Sequence, residues 1–179
     1  MQKRKAIIMN EEEMQRAIRR IALEIIEKNR GVEGLCMVGI QRRGVVIARR
    51  IANEIEQLEG RRLPVGVLDI TFYRDDLSML AQHPVLSGTQ IEFAVQGSKI
   101  VLVDDVLYTG RTIRAAIDAM MEIGRPDMIQ LAILMDRGHR ELPIQADYVG
   151  KNVPTAGNES IGVFVREIDG EDLVAILDK

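Results

Sequence analysis

Ile100-Val101-Leu102-Val103-Asp104-Asp105-Val106-Leu107-Tyr108-Thr109-Gly110-Arg111-Thr112 passes from a short apolar run through two acids and a small-residue turn to a helix start. An aliphatic run of this length, bounded by polar residues, reads as a strand buried on both faces, as in a parallel sheet. The turn and the helix start offer N–H groups at the positive end of the helix dipole, which together bind phosphate. Thr109 and Thr112 add hydroxyl donors, and Gly110 lets the backbone approach an anion closely. Asp104 and Asp105 would repel that phosphate, but they can accept hydrogen bonds from sugar hydroxyls about one ribose away. The segment therefore fits a ribose 5-phosphate, with acids on the diol and the turn on the phosphate. The competing reading is a strand ending in two exposed acids, with Thr112 as an ordinary helix cap. The apolar run on one side and Thr-Gly-Arg-Thr on the other weigh against it.

On either side of this segment the chain alternates strand, loop and helix. Asn10 and Glu13 form a capping box, and Met14, Ala17, Ile18, Ile21, Ile25 and Ile26 follow at helical spacing towards Gly31. The spacing predicts a buried strand over 35–40, a loop over 41–44, a helix over 45–58 and a strand over 65–72. Residues 73–99, with Pro84, Gly88 and Gly97 among polar side chains, read as a β-arm or mobile loop. A helix is predicted from Thr112 through Ala115, Ala116, Ala119 and Met120 to a stop at Gly124, then a strand over 128–134. The fold class is α/β: a mainly parallel twisted sheet with helices on both faces and a small flexible arm or hood, in a single domain over 1–179. Ligands in such folds bind beyond the carboxyl ends of the strands, here the loops at 41–44 and 104–112.

The composition excludes several classes. The 179 residues are 46% apolar and 28% charged, too charged for a membrane protein and too apolar for a disordered chain. No apolar run approaches the ~20 residues that span a bilayer. The basic Met1–Lys5 stretch is followed only by Ala6-Ile7-Ile8-Met9 before Glu11, so no signal-peptide h-region is expected and the protein is expected to be cytoplasmic. Cys36 is the single cysteine; an internal disulfide or multi-cysteine zinc site is impossible, and its apolar strand makes it a core residue. The net charge of −3 hides an asymmetry, since residues 1–62 carry 14 basic and 9 acidic side chains and the remainder 10 and 18. A basic N-terminal third fits either a local anionic partner or a solvated helix face.

The strand–acid–acid–turn segment resembles the signature of the type I phosphoribosyltransferases, which bind 5-phosphoribosyl 1-pyrophosphate (PRPP). Asp69-Ile70-Thr71-Phe72-Tyr73-Arg74-Asp75-Asp76-Leu77, Gly124-Arg125-Pro126, Asp136-Arg137-Gly138-His139-Arg140-Glu141-Leu142-Pro143 and Ala146-Asp147-Tyr148-Val149-Gly150-Lys151-Asn152-Val153-Pro154-Thr155 narrow it. Together they resemble the PyrR family, bacterial attenuation proteins of pyrimidine operons that also act as uracil phosphoribosyltransferases. The resemblance runs nearly end to end.

It implies that Asp104 and Asp105 hold the ribose hydroxyls, and that Tyr108, Thr109, Gly110, Arg111 and Thr112 hold the 5-phosphate. Val103, Val106 and Leu107 belong to the same PRPP- and nucleotide-binding segment. Arg42, Arg43 and Gly44 would form the pyrophosphate loop, where Arg42-Arg43 departs from the Thr-Arg of many relatives. Arg74, Asp75 and Asp76 would lie in a flexible loop that closes over the reacting centre. Mg²⁺ is implied with the pyrophosphate, not in a cage built by the protein alone. Val106 and Arg137 would border uracil. Tyr108 stands where purine enzymes of the superfamily have an acid, which disfavours the alternative of a purine salvage phosphoribosyltransferase without an RNA role.

The implied partners are PRPP, uracil, UMP and a pyr leader mRNA hairpin, with a homodimer or homohexamer as the assembly and no membrane. For RNA, the candidates are Arg16, Arg19 and Arg20, at i, i+3 and i+4 on one helix face, with Arg140 and Lys151. Leu23 and Gln145 stand at positions that are basic in relatives. His139 reads either as a general base or as a surface or RNA contact, and His83 as a solvated residue.

Overall fold

Asn10 opens the first helix as its sequence predicts. Its side chain accepts the Glu13 N–H at 2.9 Å, and the Glu13 carboxylate accepts the Asn10 N–H at 2.9 Å. The helix, α1 (Glu11–Asn29), buries Met14, Ala17, Ile18, Ile21, Ala22 and Ile25. The structure is a computed structural model that describes residues 2–71 and 88–179. Arg74, Asp75, Asp76 and His83 lie outside the described residues.

The α/β core forms as expected. β2 (Leu35–Ile40) leads into α2 (Arg43–Glu59), and β3 (Val65–Leu68) follows. β4 (Lys99–Leu107) leads into α3 (Arg111–Ile123), then β5 (Met128–Asp136) and β6 (Tyr148–Asn152). These five strands pair in parallel in the order β3-β2-β4-β5-β6. Strand alternation divides the apolar side chains between the two faces. Met37, Val101, Val103, Ala132 and Leu134 join the core with α1 and α2, while Cys36, Val38, Ile100, Leu102, Leu131 and Ile133 join the core with α3. Each fully buried aliphatic side chain contributes about 1.5–3 kcal/mol, so the two-sided burial fixes the register of every central strand.

Three features differ from the sequence expectation. β4 continues through both acids to Leu107, because β5 runs beside it as far as Asp136 and keeps the ladder intact, with Asp104 opposite Ile133. The acids therefore sit in the strand and not in the loop after it. β3 stops at Leu68, short of the expected 72. There the Asp69 carboxylate accepts the Thr71 N–H at 3.0 Å and its hydroxyl at 2.6 Å, a local turn that competes with the ladder.

The third difference is a second sheet, antiparallel and three-stranded, in the order β1-β8-β7. It pairs β1 (Arg4–Met9) with β8 (Leu173–Asp178), and β8 with β7 (Glu159–Phe164). The short α4 (Arg166–Asp169) joins β7 to β8. Met9, Val163, Val165 and Val174 enter the core formed by α1 and α2, so the two sheets share one hydrophobic cluster. Most of the arm expected over 73–99 lies outside the described residues; within the described part, Gln90 bridges Val67. No helix among the described residues is long and apolar enough to cross a membrane.

Asn10→Ala removes one half of the capping box and orphans the Glu13 N–H. Urea unfolding is expected to show a loss of about 1 kcal/mol with an unchanged m-value. An unchanged midpoint would show that the box contributes nothing here.

Candidate functional site

The end of β4 places two carboxylates next to each other in different surroundings. Asp104 is buried and Asp105 half-buried. Each turns one oxygen back onto the chain: Asp104 Oδ1 accepts the Asp105 N–H at 2.9 Å, and Asp105 Oδ1 accepts the Val106 N–H at 2.8 Å. Among the described residues these N–H groups are the donors seen at either carboxylate. Burial, and then the neighbouring Asp105 carboxylate, raise the pKa of Asp104 well above the usual carboxylate range. A carboxylate with acceptor capacity to spare in a half-dry site is suited to a ligand hydroxyl.

Three residues on, the backbone turns into α3. Gly110 is the N-cap, with φ of 94°, and no side chain caps the helix. A residue with a Cβ would be strained there. Apart from the Arg111 N–H, the start of α3 is therefore left without a side-chain cap and open to an anion. Thr109 Oγ1 accepts the Arg111 N–H at 3.3 Å, and the Thr109 carbonyl accepts the Glu141 and Leu142 N–H groups at 2.9 and 3.2 Å. Thr112, in the first turn of the helix, is half-buried and faces the same cleft as the acids. Val103 and Leu107 are sealed in the two cores, so only their backbones can meet a ligand.

The loop after β2 forms the opposite wall. The Gln41–Arg42 peptide bond is cis. Gly44, in the first turn of α2, lies so close to β4 that a Cβ would sit 2.6 Å from the Val103 carbonyl oxygen and 3.1 Å from Asp104 Oδ1. The result is one cleft of about 260 Å³ lined by Gln41, Arg42, Arg43, Asp104, Asp105 and Thr112, with Asp69 and Thr71 from the end of β3. Arg42 is exposed, whereas Arg43 forks onto Asp169, with Nη2–Oδ1 2.7 Å and Nε–Oδ2 3.2 Å. Asp69, Thr71 and Asp169 were not singled out as site residues from the sequence. The rule that ligands lie beyond strand ends would have found Asp69 and Thr71 once β3 was seen to stop at Leu68. No local signal points to Asp169.

A third group of residues surrounds Tyr108. The Arg137 guanidinium lies 4.0 Å from the Tyr108 ring centroid and is buried, donating to Thr155 Oγ1 at 2.9 Å and the Glu159 carbonyl at 2.6 Å. His139 meets the ring edge-on at 5.7 Å and hydrogen-bonds through Nε2 to the Thr155 carbonyl at 2.6 Å. Arg140 donates to the Tyr108 carbonyl at 2.8 Å, the Ile144 carbonyl at 2.7 Å and Asp136 at 2.5 Å. Its donors thus tie the segment after β5 to the Tyr108 backbone at the end of β4.

The remaining candidates lie along α1 and β6. Arg16 pairs with Glu12, and Arg19 is exposed. Arg20 donates to the Gly150 carbonyl and, at 3.2 Å, to the Val149 carbonyl, which sets it along β6 beside the exposed Lys151. The structure therefore joins Arg20 to the strand that carries Lys151, while Arg140 makes its bonds at Tyr108, Asp136 and Ile144. Among the described residues no group of three or more His, Cys, Asp or Glu side chains could hold a metal ion.

The sheet, the strand-end acids and the open helix start are those of a nucleotide- or sugar-phosphate-binding protein, and the family model for the phosphoribosyl transferase domain matches residues 6–165. The chain is 64% identical over 174 residues to the "Bifunctional protein PyrR" of Acetivibrio thermocellus, covering 97% of this chain and 95% of that one. It is 59% identical over 175 residues to the protein of that name from Thermus aquaticus, covering 98% and 97%. It belongs to the PyrR family of phosphoribosyl transferases. The hypoxanthine phosphoribosyltransferase of Trypanosoma cruzi shares the fold, with a TM-score of 0.74, 16% identity and coverage of 98% and 97%. So does a hypoxanthine-guanine phosphoribosyltransferase of Bacillus anthracis, with a TM-score of 0.72, 18% identity and coverage of 98% and 99%.

Asp104 keeps its proton more tightly in the folded chain than in the unfolded one. Its contribution to stability therefore falls as pH rises from about 4, the unfolded value, towards its raised folded value. Asp104→Asn keeps the acceptor for the Asp105 N–H and removes the buried charge. At pH 7–8 the ligand-free variant is expected to be more stable than the parent by on the order of 1 kcal/mol, the difference vanishing below about pH 4. Thermal unfolding across that pH range checks this; a variant less stable than the parent at pH 8 would contradict it.

Proposed function

We propose that the protein is a uridine-nucleotide-responsive, RNA-binding regulator of pyrimidine-operon transcription that also makes UMP and pyrophosphate from uracil and PRPP. The observation that carries this reading is the near full-length match to PyrR proteins; a cleft lined by Arg42, Arg43, Asp104, Asp105 and Thr112 supports it. Asp104 and Asp105 take the ribose hydroxyls on their carboxylates. The 108–112 turn takes the 5-phosphate, and Arg42, Arg43 and Gly44 take the pyrophosphate. Val106 and Arg137 border the base, Arg137 through the Tyr108 ring that it underlies.

In the reaction the bond from C1′ to the pyrophosphate oxygen breaks and a bond from uracil N1 to C1′ forms, with loss of the N1 proton. Charge builds on the ring as an oxocarbenium-like state and on the leaving oxygen. The arginine-lined wall answers the second charge and the acid-lined wall the first. The residues fit Mg²⁺ arriving with PRPP, since Asp69, Asp104 and Asp105 offer carboxylates to the cleft without a closed metal cage. When bound, it would supply further positive charge to the leaving group.

Arg16, Arg19, Arg20, Arg140 and Lys151 are the proposed contacts to a pyr leader mRNA hairpin, made by a cytoplasmic homodimer or homohexamer. A loop or bulge should be preferred, because A-form RNA hides its base edges. Leu23 is 47% exposed on the same helix, an apolar gap in the surface that RNA would meet.

With Mg²⁺ and PRPP, uracil is expected to react and hypoxanthine not, because Tyr108 offers no carboxylate to a purine ring nitrogen. Faster turnover of hypoxanthine would put purine salvage first. Asp104→Asn combined with Asp105→Asn should weaken UMP by on the order of 100-fold or more by calorimetry. UMP and leader RNA should tighten each other by an equal factor of roughly 5–150. Arg19→Gln with Arg20→Gln should weaken RNA and shallow its salt dependence while leaving UMP binding alone. Equal binding of the leader hairpin and a scrambled RNA, with or without UMP, would leave the enzyme and remove the regulator.

A further inference from the structure

The segment between β7 and β8 reaches across to α2 through two arginines about two helical turns apart. Arg50 donates to Glu167 at 2.5 Å and Asp172 at 2.8 Å, and Asp172 also accepts the Arg166 N–H at 2.8 Å. Arg43 forks onto Asp169, whose Oδ2 also accepts the Val165 N–H at 2.8 Å. The Asp169 side chain is only 14% exposed, and that of Arg43 32%. Burial pushes the Asp169 carboxyl up, but Arg43 and the Val165 N–H outweigh it and hold the pKa below the ordinary range.

Asp169 is therefore a fixed anion, pinned on its own segment, that grips one edge of a guanidinium. That edge, Nε and Nη2, is taken up by Asp169, on the segment that joins β7 to β8. The remaining N–H groups of Arg43 belong to the side chain that lines the cleft with Arg42, Asp104 and Asp105. Gly44, pressed against Val103, fixes the backbone from which Arg43 springs. A long arginine side chain otherwise gives up its rotamer freedom on binding an anion, and a carboxylate that already holds its plane removes that cost. The same carboxylate also opposes an anion in the cleft. It does so from the far edge of the guanidinium, at a greater distance than the direct hydrogen bonds Arg43 can make to that anion, and Coulomb energy falls with distance.

We propose that Asp169 is a positioning residue for the pyrophosphate end of PRPP: it holds Arg43 with its free N–H edge in the cleft and so sets affinity for pyrophosphate without touching it. The antiparallel sheet built from the two ends of the chain thereby tunes a site on the parallel sheet. This rests on the reading of Arg42, Arg43 and Gly44 as the pyrophosphate loop.

Calorimetry with magnesium pyrophosphate and with UMP, together with steady-state kinetics, tests it. Asp169→Asn keeps an acceptor for the Val165 N–H. It should weaken pyrophosphate and raise KM for PRPP about tenfold, the lower end of what losing an orienting partner costs at metal ligands, with kcat and UMP affinity little changed. In an Arg43→Gln background the same change should be silent. Arg50→Gln loosens the same segment without touching Arg43 and should leave pyrophosphate binding as it is. The proposal falls if Asp169→Asn leaves pyrophosphate binding unchanged or tighter, if its effect is equally large without Arg43, or if Arg50→Gln reproduces it. Arg42→Gln separates this from the underlying reading. Unchanged pyrophosphate binding in that variant would remove the pyrophosphate loop itself, whereas weakened binding there with an unaffected Asp169→Asn would remove only the role of Asp169.

Discussion

A carbonyl oxygen midway along β4 and a glycine at the start of α2 lie too close for any side chain between them: a Cβ on Gly44 would be 2.6 Å from the Val103 oxygen. This approach brings two loops, far apart in sequence, into one cleft. Without it the arginines of 42–43 and the acids of 104–105 would line separate surfaces. β2 and β4 are paired neighbours, with Gly39 opposite Val103, so the loops after them must share the same edge of the sheet. Two-sided burial of both strands prevents a register slip that would separate them. The charges of the cleft thus depend on apolar packing well below it.

Those charges are arranged at some expense to the fold. Asp104 is buried beside a second carboxylate, with a backbone N–H as the donor that faces it, so burial and the neighbouring charge both oppose its ionised form. Nothing in the packing of β4 requires an acid at that position. A ligand that brings hydroxyl donors favours the ionised form, which is a physical reason for the empty and filled forms of the cleft to differ in stability.

The parallel sheet was legible because its signals are local. Asn10 with Glu13, the aliphatic strand 35–40 and the Asp-Asp-turn segment each identify themselves within a few residues. The second sheet was not legible, because β1 finds its partner at the far end of the chain and its own residues are largely exposed. The same holds within the site. Arg42 and Arg43 look equivalent as a dipeptide, yet one is exposed and the other is gripped by Asp169, more than a hundred residues away. Arg140 reads as a surface base in the sequence, but it spends its donors on two carbonyls and Asp136. Long side chains on turns are decided by tertiary partners that periodicity does not encode.

The most direct test of the account is a crystal structure of the protein with UMP. The phosphate is expected against the N–H groups of the 108–112 turn and the two ribose hydroxyls on the carboxylates of Asp104 and Asp105. Uracil should then lie beside Val106 and Tyr108. A phosphate seated instead between Arg42 and Arg43, with the acids making no contact to ribose, would contradict it.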